Sequence, residues 1–177
     1  MRATSSIVVA ACLAVALTAC SSSVQHQSGE AAPAGSPAPA LLGPTGYGAL
    51  KLGMTRQQAQ ATGLVVGYST NGPNPSCPQG RLSGAPTGEG VVWYSANQGV
   101  VAITAYGSIA TPQGVRLGMT STNMRTIYPD WAVFGTDVNG RGYAKVSGNA
   151  DAEYRIEVTN GLVTSLTLQA NNEPCFE

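Results

Sequence analysis

Toward the end of the chain, hydrophobic and polar positions alternate with a period of two. Tyr154, Ile156 and Val158 are interleaved with Arg155, Glu157 and Thr159, the spacing of a strand with one wet face. Asn160-Gly161, a preferred pair for a tight type I′ turn, returns the chain into residues 162–169, where Leu162, Leu166 and Leu168 are expected to share a face. A similar hairpin is expected to join residues 91–95 to 100–106, and Asn139-Gly140 marks another turn, leading into residues 143–146. Residues 64–68 and 131–135, rich in branched and aromatic side chains, read as two further strands.

Each of those two runs follows a short helical signal. Thr55 is a natural N-cap, and Gln58 three residues later completes a capping box, in which each side chain satisfies a backbone amide of the other residue. Gly63 is placed to end that helix after about two turns. Thr120 caps a second helix that Pro129 stops, with Met119 and Met124 spaced as a hydrophobic staple and Asn123 where the reciprocal Gln would stand.

The two signals open with the same phrase, Leu52-Gly53-Met54-Thr55 and Leu117-Gly118-Met119-Thr120, 65 positions apart. The hairpin stretches beginning at Asn97 and Asn160 match at an offset of 63. Nearly equal offsets argue for a duplicated unit. The expected fold class is therefore α+β: two tandem repeats, residues 45–110 and 111–177, each a short capped helix or helix pair packed on a three- to four-stranded antiparallel sheet.

Ahead of the repeats the pattern changes. Met1-Arg2 and an apolar run over residues 7–17 are too short to span a bilayer and read as an export signal, residues 1–19. The run closes in Leu17-Thr18-Ala19-Cys20, the pattern of a lipobox, so Cys20 is expected to be lipidated and to become the mature N-terminus. Residues 20–44, rich in Ser, Ala, Pro and Gly, cannot bury enough surface to fold and read as a tether reaching on the order of 25 to 30 Å. The expected location is the outer face of the cell membrane, held by N-terminal acyl chains.

Charge and chemistry narrow the function. Removing Arg2 with the signal leaves eight basic against nine acidic residues, so no electrostatic footprint for nucleic acid or for an anionic bilayer is present. The one histidine, His26, lies in the tether, which takes the commonest general base and metal ligand out of the folded part. Asp130, Asp137, Asp151 and Glu153 show no spacing that identifies a carboxylate pair or metal site. No cofactor or metal is expected, and the chain is read as non-enzymatic.

Two features could bind. Residues 71–90 form a long stretch dense in Gly, Pro, Asn and Ser, which suits a surface loop. It contains Cys77. In an exported chain Cys77 and Cys175 are expected to pair as a structural disulfide joining the first repeat to the tail of the second, since no Cys-x-x-Cys spacing points to redox work. Trp93, Tyr94, Tyr106, Trp131 and Tyr143 are candidates for a sheet face that docks a protein or stacks on sugars, while a small sheet also needs large side chains for its core.

The repeated Gly-Met-Thr, each followed by a short capped helix and antiparallel strands behind a lipobox, resembles the superfamily of the BamE (SmpA/OmlA) lipoproteins and the β-lactamase inhibitor protein. The resemblance implies a helix packed on a small sheet, duplicated as in the inhibitor protein. It carries no partner-binding residue across, because those lipoproteins usually continue with an acidic residue and a valine where this chain has Gln57-Gln58-Ala59 and Thr122-Asn123-Met124. The expected function is a lipid-anchored envelope protein that binds another protein or supports envelope assembly. The alternative is a module that binds cell-wall glycan or a small ligand.

Overall fold

The computed structural model describes residues 40–72 and 74–175. The export signal, Cys20, His26 and most of the tether lie outside the described residues. The described chain opens with a meander of three two-residue strands, β1 (Leu42–Gly43), β2 (Gly46–Tyr47) and β3 (Leu50–Lys51), and enters α1 (Arg56–Ala61). Four strands follow: β4 (Val65–Ser69), β5 (Gln79–Leu82), β6 (Val91–Ser95) and β7 (Gly99–Thr104). A connection over residues 105–120 leads to α2 (Ser121–Ile127). The chain then forms β8 (Ala132–Gly135), β9 (Gly140–Lys145), β10 (Ala152–Thr159) and β11 (Leu162–Ala170).

These strands correct the expected fold class. The protein is mostly β, not a pair of α+β helix-on-sheet repeats. The strands β4 to β11 make one antiparallel sheet, in the order β4-β5-β6-β7-β11-β10-β9-β8, beside the small β1-β2-β3 sheet. The expectation fails for two physical reasons. First, the last strands of the two halves pair with each other, Thr104 opposite Thr167 and Ala102 opposite Gln169, so neither half keeps a sheet of its own. Second, the helices have only six and seven residues and bury little: Ala59 from α1, Ser121 and Met124 from α2. Leu42 and Leu50 of the meander, with Ile109 and Val115 of the 105–120 connection, cover the sheet beside them. The expected tether boundary at residue 44 falls inside this meander, whose Leu42 is fully buried and accepts a 2.8 Å hydrogen bond from the Tyr154 hydroxyl.

The local expectations for the helices match the structure. Thr55 Oγ1 accepts from the Gln58 amide (3.3 Å), and Gln58 Oε1 accepts from the Thr55 amide (2.9 Å). Thr120 Oγ1 accepts from the Asn123 amide (3.3 Å), and α2 ends at Tyr128, before Pro129. Asn160 and Gly161, with φ of 52° and 74°, make the turn between β10 and β11.

The repeated phrase does more than start helices. Gly53 donates to the Val100 carbonyl and the Val100 amide donates to Met54; Gly118 and Val163, then Val163 and Met119, repeat the pair, all four bonds at 2.8 Å. Each Leu-Gly-Met-Thr is therefore a short edge laid against the start of its own half's last strand, and the two similar offsets in sequence record that docking. The same strands share a bulge. Val101 is the extra residue between the pairs Ala102 to Trp93 and Val100 to Tyr94, and Thr164 is the extra residue between Ser165 to Glu157 and Val163 to Val158. The bulge at Thr164 reverses the side-chain alternation, so Leu166 and Leu168 are fully buried while Leu162 is 43% exposed.

Candidate functional site

One face of the sheet packs on the core and the other faces outward. Residues opposite each other in an antiparallel ladder share a face, so the register of the strands assigns the outer side chains. Trp93, Ala102, Gln169, Glu153 and Lys145 form one row across β6, β7, β11, β10 and β9. Thr104, Thr167, Arg155, Tyr143 and Ala132 form the next. The hydroxyls of Thr104 and Thr167 lie 3.1 Å apart at the seam between the halves.

The centre of this face is covered. Ala102, Thr167 and Gln169 are buried although they point away from the core. After β11 the chain passes beside the β6–β7 turn, where Gln98 Nε2 donates to the Asn172 carbonyl (3.4 Å). It then reaches Cys175, bonded to Cys77 with a Cα separation of 5.6 Å. The expected disulfide is thus present in the structure, and it holds a tail in which Glu173 is buried and accepts from the Cys175 amide (2.6 Å).

The outer face remains open over the second half. At the ends of its strands a cleft of about 810 Å³ is lined by outward Ala132, Tyr143, Lys145 and Glu153 and by core-side Ala144, Val146 and Ala152, with Asp130 at its rim. Hydrogen bonds fix its walls: Asn149 Nδ2 donates to the Pro44 carbonyl (2.8 Å), Asn171 Nδ2 to the Ala150 carbonyl (2.8 Å), and the Lys145 amide to Asp130 (3.3 Å). A second groove, about 450 Å³, lies between Phe134, Arg141, Tyr143, Glu153, Gln169 and Glu173. The two depressions share Tyr143 and Glu153. Phe134 meets Tyr143 edge-on, ring centroids 6.1 Å apart.

Glu153 accepts from Gln169 Nε2 (3.0 Å). Its burial pushes the carboxyl above the usual carboxylate range, and the Gln169 bond opposes that shift only in part. Nearby, Arg155 bridges Glu157 at 2.7 Å. The face therefore combines the aromatic rings of Phe134 and Tyr143 with mixed charge and small residues. Among the described residues, no group of three His, Cys, Asp or Glu is placed to hold a metal ion, and no helix is long and apolar enough to cross a membrane.

The five aromatic candidates separate. Trp93 and Tyr143 are half-buried on the outer face, four strand spacings apart, roughly 19 Å. Tyr94 and Trp131 are core residues. Tyr94 packs edge-on against Tyr68 at 5.6 Å. Burial, helped by Tyr68 and opposed by Arg56, pushes its hydroxyl up to about 12. Trp131 lies beneath the Arg125 guanidinium, 4.9 Å from the ring. Tyr106 packs against the core and donates to the Ser83 carbonyl (2.9 Å). The sequence does not point to Phe134, Gln169 or Glu173 as site residues, and it offers Glu153 only as one of four acids without a pairing spacing. For Phe134 a signal existed: it is out of phase with Trp131 and Val133, both of which pack toward the core.

No known protein family, no curated protein and no solved structure matches this chain.

Proposed function

We propose that the chain is an exported, lipid-anchored and non-enzymatic envelope protein that binds another protein through the outer face of its sheet, either as a partner or in support of envelope assembly. The observation that carries this reading is the pair of adjoining depressions on the second half, which share Tyr143 and Glu153 beside exposed Phe134. Aromatic and charged groups on a rigid sheet suit a protein surface, because the ladder holds their spacing without ordering a loop on binding. The lipobox at residues 17–20 and the resemblance carried by Leu-Gly-Met-Thr supply the envelope part of the reading.

The test is affinity capture of the lipidated chain from solubilised membranes in several detergents, with Tyr143→Ala as comparison. A stoichiometric protein recovered by the parent chain and lost with the variant supports the reading; recovery of no such protein in any detergent sinks it. A second reading, a module for cell-wall glycan or a small ligand, draws on the larger cleft, whose size falls in the range of ligand sites. Pull-down on purified wall material separates the two.

A further inference from the structure

The groove of about 450 Å³ between Phe134, Tyr143, Glu153, Gln169 and Glu173 holds a hydrogen-bond acceptor that no described residue fills. Gln169 is 5% exposed, and its Oε1 has no partner among the described residues. Its Nε2 donates to Glu153 Oε1 (3.0 Å), which settles the amide's orientation, because turned over it would set its oxygen against the carboxylate. An acceptor buried without a donor is costly. A ligand that brings a donor removes that cost.

The charge around this acceptor is negative. Glu153 is half-buried, and burial holds its carboxyl above the ordinary range, as expected of a carboxylate short of a compensating charge. Among the described residues the ion pairs join Arg125 to Asp137 and Arg155 to Glu157, and neither involves Glu153. Glu173, also buried, brings a second carboxylate to the groove. The cations of β9 are placed elsewhere. Lys145, across the ladder from Glu153, lines the larger cleft and not this groove, while Arg141 stands four positions away along β9, opposite Glu157. Toward β8 the groove is lined by the rings of Phe134 and Tyr143.

We propose that this groove takes a lysine side chain of the partner protein, its ammonium meeting Glu153, Gln169 Oε1 and Glu173 and its methylenes lying along Phe134 and Tyr143. This rests on the reading of the chain as a protein binder and names what the partner presents. An ammonium carries three donors and no acceptor, which suits carboxylates and an amide oxygen; an anionic group would meet like charge. Aromatic rings beside the carboxylates add attraction for a cation, and a lysine stem covers apolar surface while its head stays among polar groups. Lysine fits better than arginine. One oxygen of Glu153 is engaged by Gln169 and one of Glu173 by the Cys175 amide, so neither carboxylate offers two unengaged oxygens to the planar fork of a guanidinium.

The probe is Nα-acetyl-lysine methylamide, titrated by NMR into the full chain in detergent micelles, with Nα-acetyl-norleucine methylamide as its uncharged counterpart. The lysine probe should shift the Gln169 side-chain amide signals and the Tyr143 and Glu153 backbone amides saturably, and the norleucine probe should not. Glu153→Gln keeps an acceptor for Gln169 Nε2 and should weaken the lysine probe about tenfold. Glu89→Gln, exposed on the first half, should bind it as the parent does. Equal shifts from the two probes, no shift of the Gln169 side chain, or an equal loss in both variants overturns the proposal. A partner captured from membranes should bind Glu153→Gln more weakly than the parent; one that binds it undiminished sinks the lysine assignment and leaves the proposed function standing. Capture of no partner sinks the proposed function itself, and a lysine-probe shift that survives that result assigns the groove to a free amine, which overturns the partner lysine.

Discussion

The two halves of the sheet are built by the same local rules and end differently. Each lays its Leu-Gly-Met-Thr along the start of its last strand through two 2.8 Å backbone bonds, caps a short helix with Thr, and inserts one bulged residue, Val101 or Thr164. Away from the seam they diverge. The first half fastens the tail through its disulfide and breaks its β4 edge with a bulge, while the tail's Asn172 and Glu173 also border the groove on the second half. The second leaves its outer face and β8 uncovered, with Phe134, Val138 and Leu162, three of the exposed large hydrophobics, on one half. The same local rules thus build both halves of one sheet, and the differences between the halves lie away from the seam.

The sharpest way to break this comparison is to release the tail. The Cys77–Cys175 bond spans 98 residues, and the chain-entropy account gives such a crosslink about 4.7 kcal/mol. Replacing both with Ser should lower the thermal midpoint by roughly 10 to 15 °C, and hydrogen exchange should rise first at β5 and β6, where the tail is fastened. A drop of only a few degrees would mean that ladder contacts alone hold the tail, and the contrast in covering between the halves would lose its mechanism.

The next effect separates the two hairpin turns. Gly99, at φ 70°, would place a Cβ 2.3 Å from the Met54 carbonyl oxygen, whereas Gly161, at φ 74°, has nothing within 4 Å. Gly99→Ala therefore meets both the left-handed backbone cost and a clash with the repeated phrase, and should cost about 3 kcal/mol; Gly161→Ala meets the backbone cost alone, about 1 kcal/mol. Denaturant midpoints at unchanged m-value measure both. Equal losses would show that the first phrase yields to the intruding methyl and is not a rigid latch.

What the sequence made legible follows from how local each determinant is. The capping box at Thr55, the stop at Pro129 and the Asn160-Gly161 turn depend on residues a few positions apart, and they stand where the pattern places them. The joining of β7 to β11 depends on residues 63 apart meeting at Thr104 and Thr167, and a small polar residue on a strand does not announce a strand beyond it. That pairing turned two expected sheets into one. In Trp93-Tyr94 adjacent aromatics must point to opposite faces of a strand, so the pair could not both line a binding surface. Leu162 left its expected face because Thr164 inserts an extra residue that a regular period of two does not contain.

The smallest expected effect concerns charge on the uncovered half. The strands β4 to β7 contain no Asp or Glu, while β10 carries Glu153 and Glu157 on the outer face. Burial raises the Glu153 carboxyl above its ordinary value, so the folded chain holds that proton more tightly than the unfolded chain does. Below the ordinary carboxylate range both states are protonated and no penalty exists. As pH rises from there to the raised folded value, the unfolded state ionises first and stability falls; above that value the loss is constant. Glu153→Gln removes the ionisation and keeps an acceptor for Gln169 Nε2, so it should be more stable than the parent at neutral pH, with the advantage fading as pH falls through the carboxylate range. Thermal midpoints of both proteins across that range measure the difference. An advantage that persists at low pH would trace to packing, and a variant less stable than the parent at neutral pH would mean that the ionised Glu153 is held by a favourable contact on the open face.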